Sequence, residues 1–149
     1  SGRCRCTPAQ VKRYLGKLSG PMLDRIDLFS EVPPLEFENL ADRSPGEPSA
    51  DIRARVTKAR ERQSKRFGPD GPHCNAAMGQ AEIRRFCALD DEGQALMKGA
   101  YEHMGLTARS YDRILRVART IADLDESENI QTHHLAEAIQ YRETEYFSV

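Results

Sequence analysis

The sequence predicts a mainly α-helical fold, with a helix–strand segment over residues 1–35, a linker over 36–48 and a helical bundle over 49–149. Two observations predict the bundle. Apolar residues recur three and four positions apart from residue 49 onward, which is the spacing of one helix face. Residues that cap helices, such as Asp90 and Thr107, stand directly before these apolar stripes. We therefore expect a bundle of about five helices.

The bundle helices follow in order from the linker. Acids, Pro and Gly are concentrated between residues 36 and 51, which is typical of a linker rather than of a packed element. We expect helices over residues 49–67 (capped by Ser49), 80–88, a stretch capped by Asp90, a long helix from Thr107 to 124, and 132–142.

The N-terminal segment has a different pattern. Thr7 and Pro8 are a typical helix start, and Gly20 with the following proline ends that helix. Alternating apolar residues then predict a strand over residues 26–32, closed by Pro33. A lone strand leaves its backbone groups unpaired, so two alternatives are open: the segment is disordered, or it packs on the helices in a non-native way.

Composition excludes several classes of protein. The 149 residues carry a net charge of -1, so the chain is not a polycation that binds nucleic acid in bulk. There is no apolar run of transmembrane length and no signal-peptide pattern, and four cysteines are too few for a secreted disulfide scaffold. We expect a reduced, cytoplasmic protein without a membrane partner. Because the chain begins without Met, we also expect it to be part of a longer parent.

Motifs for hydrolysis are missing from the sequence. There is no GxxxxGK[ST] loop to cradle phosphates, and no apolar run that ends in acids able to hold magnesium. The scattered histidines do not form a Ser/His/Asp or Cys/His set. The chain alone should therefore be inactive as an enzyme.

Two long blocks carry a resemblance to a known family. CRCTPAQVKRYLGKLSGPMLDRIDLFSEVPPL and GLTARSYDRILRVARTIADLDESENIQTHHLAEAIQYR resemble the AAA+ ATPases of the magnesium-chelatase-like group, in particular the bacterial subgroup linked to competence and DNA branch migration. The basic helix ADIRARVTKARERQSKRF matches the family between these blocks. The resemblance implies that residues 1–35 are the last piece of the AAA+ core, and that 49–149 form the helical lid.

The resemblance also implies cofactors and partners. The parent would be a homo-hexameric ATPase that uses ATP and magnesium and acts on DNA as a motor or helicase. Its partners would be the rest of its own AAA+ core and the neighbouring subunits. This chain would bind neither cofactor alone and would be a monomer. Nothing in it speaks for the pigment chemistry of a true chelatase.

Arg25, in LDRIDL, is the first candidate site residue. The resemblance implies an arginine finger that reaches the ATP of a neighbouring subunit, where a guanidinium stabilises the charge of the transferring phosphoryl group. The alternative is a local surface cluster in which Arg25 pairs with Asp24 and Asp27.

Arg109 is the second candidate. It falls in the first turn of the helix capped by Thr107, where a helix favours anions. The resemblance implies the arginine called sensor 2, which contacts nucleotide phosphates from the lid. The alternative is an exposed arginine near Asp112.

The basic helix over residues 51–67 is the third candidate. It holds seven Lys/Arg and two acids, and no aromatic residue interleaves to stack on bases. Its face contacts a DNA backbone, meets the next subunit, or is simply solvated. The residues concerned are Arg53, Lys58, Arg60, Arg62 and Lys65.

Two pairs resemble metal ligands. Cys4 and Cys6 supply at most two of the four ligands that zinc usually takes, so a zinc site would need further cysteines of the parent. His133 and His134 are adjacent, and adjacent side chains are expected to diverge on a helix.

Two other functions stay open. The helical part is alternatively a stand-alone module that binds DNA or protein, with the basic helix as its best evidence. It is alternatively an oligomerisation element without chemistry of its own.

Overall fold

The computed structural model describes residues 5–34, 44 and 46–142, and these residues form seven helices and a short 3-10 turn. The N-terminal segment contains α1 (Pro8–Leu15) and α2 (Gly20–Leu23). The bundle contains α3 (Ser49–Phe67), the turn Asn75–Ala77, α4 (Gln80–Phe86), α5 (Asp91–Met104), α6 (Ala108–Leu124) and α7 (Thr132–Gln140). The mainly α-helical prediction is confirmed, and five of these helices make up the bundle.

Helix α6 is the centre of the bundle because it packs against α3, α4, α7 and the 3-10 turn, while α5 packs on α7. The centre of its apolar face is buried, at Ile114, Leu115, Ala118 and Ala122. The remaining core residues come from the elements around it. They are Met78, Ile83, Cys87, Met97, Ile130, Leu135, Ala138 and Ile139.

Most predicted helix starts agree with the structure. Thr7, Asp90 and Thr107 each accept a hydrogen bond from a backbone N–H in the first turn of the helix that follows. Ser49 is the exception, since it is the first residue of α3 and Pro48 occupies the cap. The helix that was expected to reach residue 142 ends at Gln140.

The predicted strand over residues 26–32 is not formed, and this corrects the helix–strand reading of the segment. The described residues contain no second strand that could complete a ladder, so the backbone groups find other partners. The Phe29 N–H donates to the Tyr141 carbonyl at 2.8 Å. Arginine side chains of the bundle donate to the carbonyls of Arg25 and Ile26. Of the two alternatives, the segment therefore packs on the helices.

The N-terminal segment leaves large apolar side chains in solvent. Tyr14 is 70% exposed and Val32 is 88% exposed. Together with Met22 and Leu28, these side chains form apolar surface that a packed domain would normally cover. Among the described residues, every helix is too short or too polar to cross a bilayer.

The two cysteines of the bundle are expected to differ in reactivity. Burial raises the pKa of the Cys87 thiol to about 11, which leaves roughly one part in a thousand as thiolate at pH 8. Burial also acts to raise the pKa of Cys74, but hydrogen bonds from the Ala77 backbone and the Arg60 side chain lower it overall. Iodoacetamide should modify Cys74 well before Cys87, as measured by peptide mass mapping over time. Equal rates in the folded chain would contradict this packing.

Candidate functional site

The loop that carries Arg25 is attached to the bundle through the two acids that flank the arginine. The Ser110 hydroxyl in the first turn of α6 donates to Asp24 Oδ1 at 3.2 Å. The Arg142 guanidinium lies 3.8 Å from the same carboxylate. On the other side, Arg113 of α6 forms an ion pair and hydrogen bond with Asp27. Both acids are therefore turned towards the bundle.

Backbone contacts fix the same loop. Arg113 Nη1 donates to the carbonyl of Arg25 itself at 3.0 Å. Arg142 donates to the carbonyl of Ile26, and its guanidinium also stacks over the Phe29 ring at 5.4 Å from the centroid. Two consecutive carbonyls, those of Arg25 and Ile26, and the nearby Phe29 ring are thus held by two arginines of the bundle.

Arg142 is the most enclosed charged side chain of this junction, since only 8% of it is exposed. Burial lowers the pKa of its guanidinium, and the nearby charge of Asp24 acts in the opposite direction. An arginine stays protonated under these conditions. Its Nη1 donates to the loop, its Nη2 donates to the Ser110 hydroxyl at 3.1 Å, and the Asp24 carboxylate supplies the counter-charge. Its Nε is buried and has no hydrogen-bond partner among the described residues.

The side chain of Arg25 is exposed, and it forms no hydrogen bond or ion pair with any other residue that the structure describes. The alternative reading, a surface cluster in which Arg25 pairs with Asp24 and Asp27, is not formed because both acids bind Ser110, Arg113 and Arg142 instead. The structure therefore fixes the main chain of Arg25 and leaves its guanidinium pointing into solvent.

Arg109 lies beside this junction, since it is the residue before Ser110 in the first turn of α6. Its side chain is also exposed and, within the described part of the chain, makes no hydrogen bond or ion pair. The Asp112 carboxylate, its expected partner in the alternative reading, binds Gln80 instead. The segments that bear Arg25 and Arg109 are joined directly by the bond between Asp24 and Ser110.

The basic residues of α3 do not act as a single face. Lys58, Arg62 and Lys65 line a cleft of about 800 Å³ between α3 and the α6–α7 loop. Arg53 and Arg60 lie outside it: Arg53 is exposed, and Arg60 donates to Gln63 at 3.4 Å. The cleft also receives Arg66, Arg85 and Arg119, together with Glu61, Glu126 and Glu128. The lining is therefore net positive, with acids among the cations.

Sequence reasoning missed several of these residues. No site role was predicted for Arg113, and Arg142 was expected only as the end of the last helix, yet both contact the Arg25 loop. Arg85 lies in IRRF, where its contribution to the cleft had no local signal. Contacts of this kind join residues more than 80 positions apart, so no local pattern could find Arg113.

His133, His134 and Asp125 form a cluster whose ligand atoms lie within 4.8 Å of one another. The expectation that the two rings diverge is wrong, because their centroids are 4.0 Å apart. The Gln131 N–H donates to Nδ1 of the buried His134, so its proton is on Nε2 and is donated to Asp125 at 3.0 Å. If a metal bound Nε2, the ring proton would have to move to Nδ1, which already accepts the hydrogen bond from the Gln131 N–H. These hydrogen bonds therefore stabilise the N-terminus of α7, and His134 is not available as a cation ligand.

The cysteine pair gives no metal centre within the described residues. Cys4 lies outside them, and Cys6 is exposed. One thiolate does not make a zinc site, so the zinc of the parent stays a prediction.

Comparison with known proteins identifies two matching family models. Residues 46–142 match the model described as magnesium chelatase, subunit ChlI C-terminal. Residues 1–40 match the model described as magnesium chelatase, subunit ChlI. The boundary between the two matches falls in the predicted linker.

Curated relatives are similar over nearly the whole chain. An uncharacterized protein YifB of Escherichia coli is 47% identical over 140 residues, which cover 93% of this chain and 27% of the relative. The competence protein ComM of Haemophilus influenzae is 46% identical over 141 residues, covering 93% and 26%. An uncharacterized protein YifB of Salmonella typhimurium is 42% identical over 139 residues, covering 93% and 27%. The chain thus spans about a quarter of the length of the relatives it matches.

Proposed function

Because the chain belongs to the magnesium chelatase ChlI family, we propose that it supplies Arg25 as an arginine finger and Arg109 as a sensor 2 arginine to ATP hydrolysis in a ring-forming AAA+ motor. The ring would be a homo-hexamer of the longer parent, in the cytoplasm. A DNA-acting motor is favoured over a pigment chelatase, since one close relative bears the name of a competence protein.

The observation that carries the proposal is the state of Arg25. Its main chain is held by Arg113 through a bond of 3.0 Å, while its guanidinium is exposed and unpaired among the described residues. A residue that acts on a phosphate of another subunit needs both properties. A fixed backbone lowers the entropy cost of positioning, and a free fork of donors can bind two phosphate oxygens.

The two arginines would act electrostatically. MgATP supplies the phosphoryl group, and its phosphate-cradling loop must come from residues outside this sequence, which has no GxxxxGK[ST] motif. Arg25 would place its charge where negative charge develops as the γ-phosphoryl group is transferred. Arg109, at the N-terminus of α6, would bind a phosphate oxygen from the lid side, and the helix end supports the same anion.

The proposal is tested by assembly dependence in the full-length protein. ATP turnover per subunit should rise with protein concentration as rings form, because a finger supplied in trans works only across an interface. Arg25→Ala should form the same rings, measured by light scattering, without the rise in turnover. Turnover that is independent of concentration and survives Arg25→Ala within a few-fold would overturn the finger.

A second candidate function, binding of a DNA backbone, is favoured by the cleft beside α3. Lys58, Arg62, Lys65 and Arg85 line it together, and the Nε of Arg62 is buried without a hydrogen-bond partner among the residues that the structure describes. Phosphate oxygens are acceptors that such donors can bind.

The expected DNA binding is salt-sensitive. Each lost phosphate contact should reduce the slope of log affinity against log salt by about 0.7–0.9. Lys65→Ala should therefore reduce the salt slope of the affinity for labelled single-stranded DNA, measured by fluorescence anisotropy at several salt concentrations. Lys98→Ala, on α5 and outside the cleft, is the control and should leave that slope unchanged. If Lys98→Ala has the same effect, the cleft is not the contact. Binding that appears only with the ATPase core would argue against a stand-alone module.

A further inference from the structure

Two arginines of the bundle, one buried and one half-buried, converge on the loop that carries Arg25. Arg142 and Arg113 come from different places, one after the end of α7 and one from the second turn of α6. Both aim their donors at residues 24–27. In the same segment Leu28 is 50% exposed and Val32 is 88% exposed, while Leu23, Ile26 and Phe29 are half-buried. Partial apolar burial and polar contacts thus both hold the segment, and the polar contacts from Arg113 and Arg142 are concentrated on residues 24–27.

The polar contacts hold the groups on both sides of the Arg25 side chain and do not involve that side chain itself. Asp24 before it and Asp27 after it are each bound by side chain, and the carbonyls of Arg25 and Ile26 are each bound by an arginine donor. Each anchor fixes a main-chain position within two residues of Arg25. The Arg25 guanidinium is exposed and, unlike the carboxylates of Asp24 and Asp27, forms no hydrogen bond or ion pair with another described residue. The geometry is that of a support for one side chain.

We propose that Arg113 and Arg142 are positioning residues for Arg25, and that they couple the orientation of the helical lid to the arginine finger. This inference rests on the proposed function, because it assigns a role to Arg25 in hydrolysis. A tilt of α6 would displace the carbonyl of Arg25 directly, since Arg113 on that helix binds it at 3.0 Å. A misplacement of about 1 Å at a reacting centre can cost about 100-fold in rate.

The bond between Asp24 and Ser110 extends this coupling to the other candidate arginine. Ser110 follows Arg109 in the chain and binds the Asp24 carboxylate at 3.2 Å. Arg142 Nη2 binds the same hydroxyl at 3.1 Å. A nucleotide phosphate that pulls on Arg109 would therefore act on the first turn of α6, on which the finger loop is anchored.

The kinetic test uses the full-length protein with intact rings. Arg113→Ala and Asp27→Ala should each lower kcat for ATP by about 10–100-fold, with KM for ATP unchanged, because position rather than nucleotide binding is lost. The double variant should be no worse than Arg113→Ala alone, since Arg113→Ala already removes the pair with Asp27 as well as the bond to the Arg25 carbonyl. Arg84→Ala is the matched control: Arg84 is exposed on α4 and contacts no residue of the loop.

Asp27→Ala guards against a misfolded lid, because Asp27 is an exposed residue of the loop and not part of the bundle core. Amide exchange in the 149-residue chain gives a readout that is independent of activity. The Phe29 amide, bonded to the Tyr141 carbonyl, should exchange at least about 10-fold faster in Arg142→Ala and in Asp24→Asn, while the amides of α6 stay protected.

The outcomes separate the two proposals. If Arg25→Ala abolishes turnover while Arg113→Ala and Asp27→Ala stay within two-fold of wild type, the positioning role is overturned and the finger stands. If Arg25→Ala has little effect, the finger is overturned and the positioning role with it. Unchanged exchange at Phe29 in the loop and arginine variants also overturns the positioning role.

Discussion

Replacing Arg25 by alanine in the full-length protein is expected to lower kcat for ATP by about 10³–10⁵, the range found for arginine fingers in well-studied phosphoryl-transfer enzymes. The cause would be lost charge stabilisation in the transition state, with no cost to the fold. The Arg25 side chain is exposed and has no partner among the described residues, so the free energy of unfolding should change by less than about 0.5 kcal/mol.

The measurement is steady-state ATP turnover together with ring assembly. Arg25→Lys should retain more activity than Arg25→Ala but less than wild type, because an ammonium keeps the charge and loses the planar fork. Arg84→Ala, another exposed arginine, is the control and should leave turnover unchanged. If lysine restores full activity, a single point charge suffices. If alanine costs no more than the control, Arg25 is not a finger.

Local signals account for the parts of the fold that sequence predicted well. The cap residues Thr7, Asp90 and Thr107 each form the expected hydrogen bond, because a cap depends on atoms three residues away. The apolar stripe of α6 is buried as its period predicts. The strand over residues 26–32 failed for the opposite reason. Alternation describes the side chains, but a strand also needs a neighbour for its backbone.

The same distinction between local and long-range signals applies to the candidate site. The resemblance pointed to Arg25 and Arg109, and the structure places both in solvent at one junction. It could not point to Arg142, whose role depends on a loop 116 residues earlier in the chain. Likewise, the separation of Arg53 from Lys65 on one helix depends on where the α6–α7 loop lies. Such long-range contacts depend on how the helices pack, and a single sequence carries no local signal for them.

A buried charge network between α3 and α6 is the source of the second large expected effect. The Asp123 carboxylate, with no exposed surface, accepts hydrogen bonds from Arg66 and from Asn75 at 2.8 Å each, and lies 3.1 Å from Arg119 Nη2. Arg119 in turn donates to the carbonyls of Ser127 and Glu128 at 2.8 Å each. One carboxylate therefore ties together α3, the 3-10 turn, α6 and the loop that follows.

Asp123→Ala is expected to destabilise the chain by about 3–5 kcal/mol, because it leaves buried guanidinium groups without their counter-charge. Urea unfolding followed by circular dichroism is the appropriate measurement, since the chain has no tryptophan to report by fluorescence. Glu126→Ala is the matched control. It removes the exposed pair with Lys58 at 3.0 Å, which should be worth at most about 1 kcal/mol.

The pH dependence of the free energy of unfolding is an independent test of the charge on Asp123. Burial alone would raise the pKa of Asp123, but the hydrogen bonds from Arg66 and Asn75 and the charge of Arg119 lower it below the ordinary 3.8. A carboxyl with a lowered pKa in the folded state contributes stability that is present above pH 3.8 and is lost as pH falls through its folded pKa. The difference in free energy of unfolding between wild type and Asp123→Ala should therefore become smaller as the pH falls below 3.8. An advantage that stays constant from pH 7 to about pH 2 would mean that Asp123 stabilises the bundle by shape and not by charge.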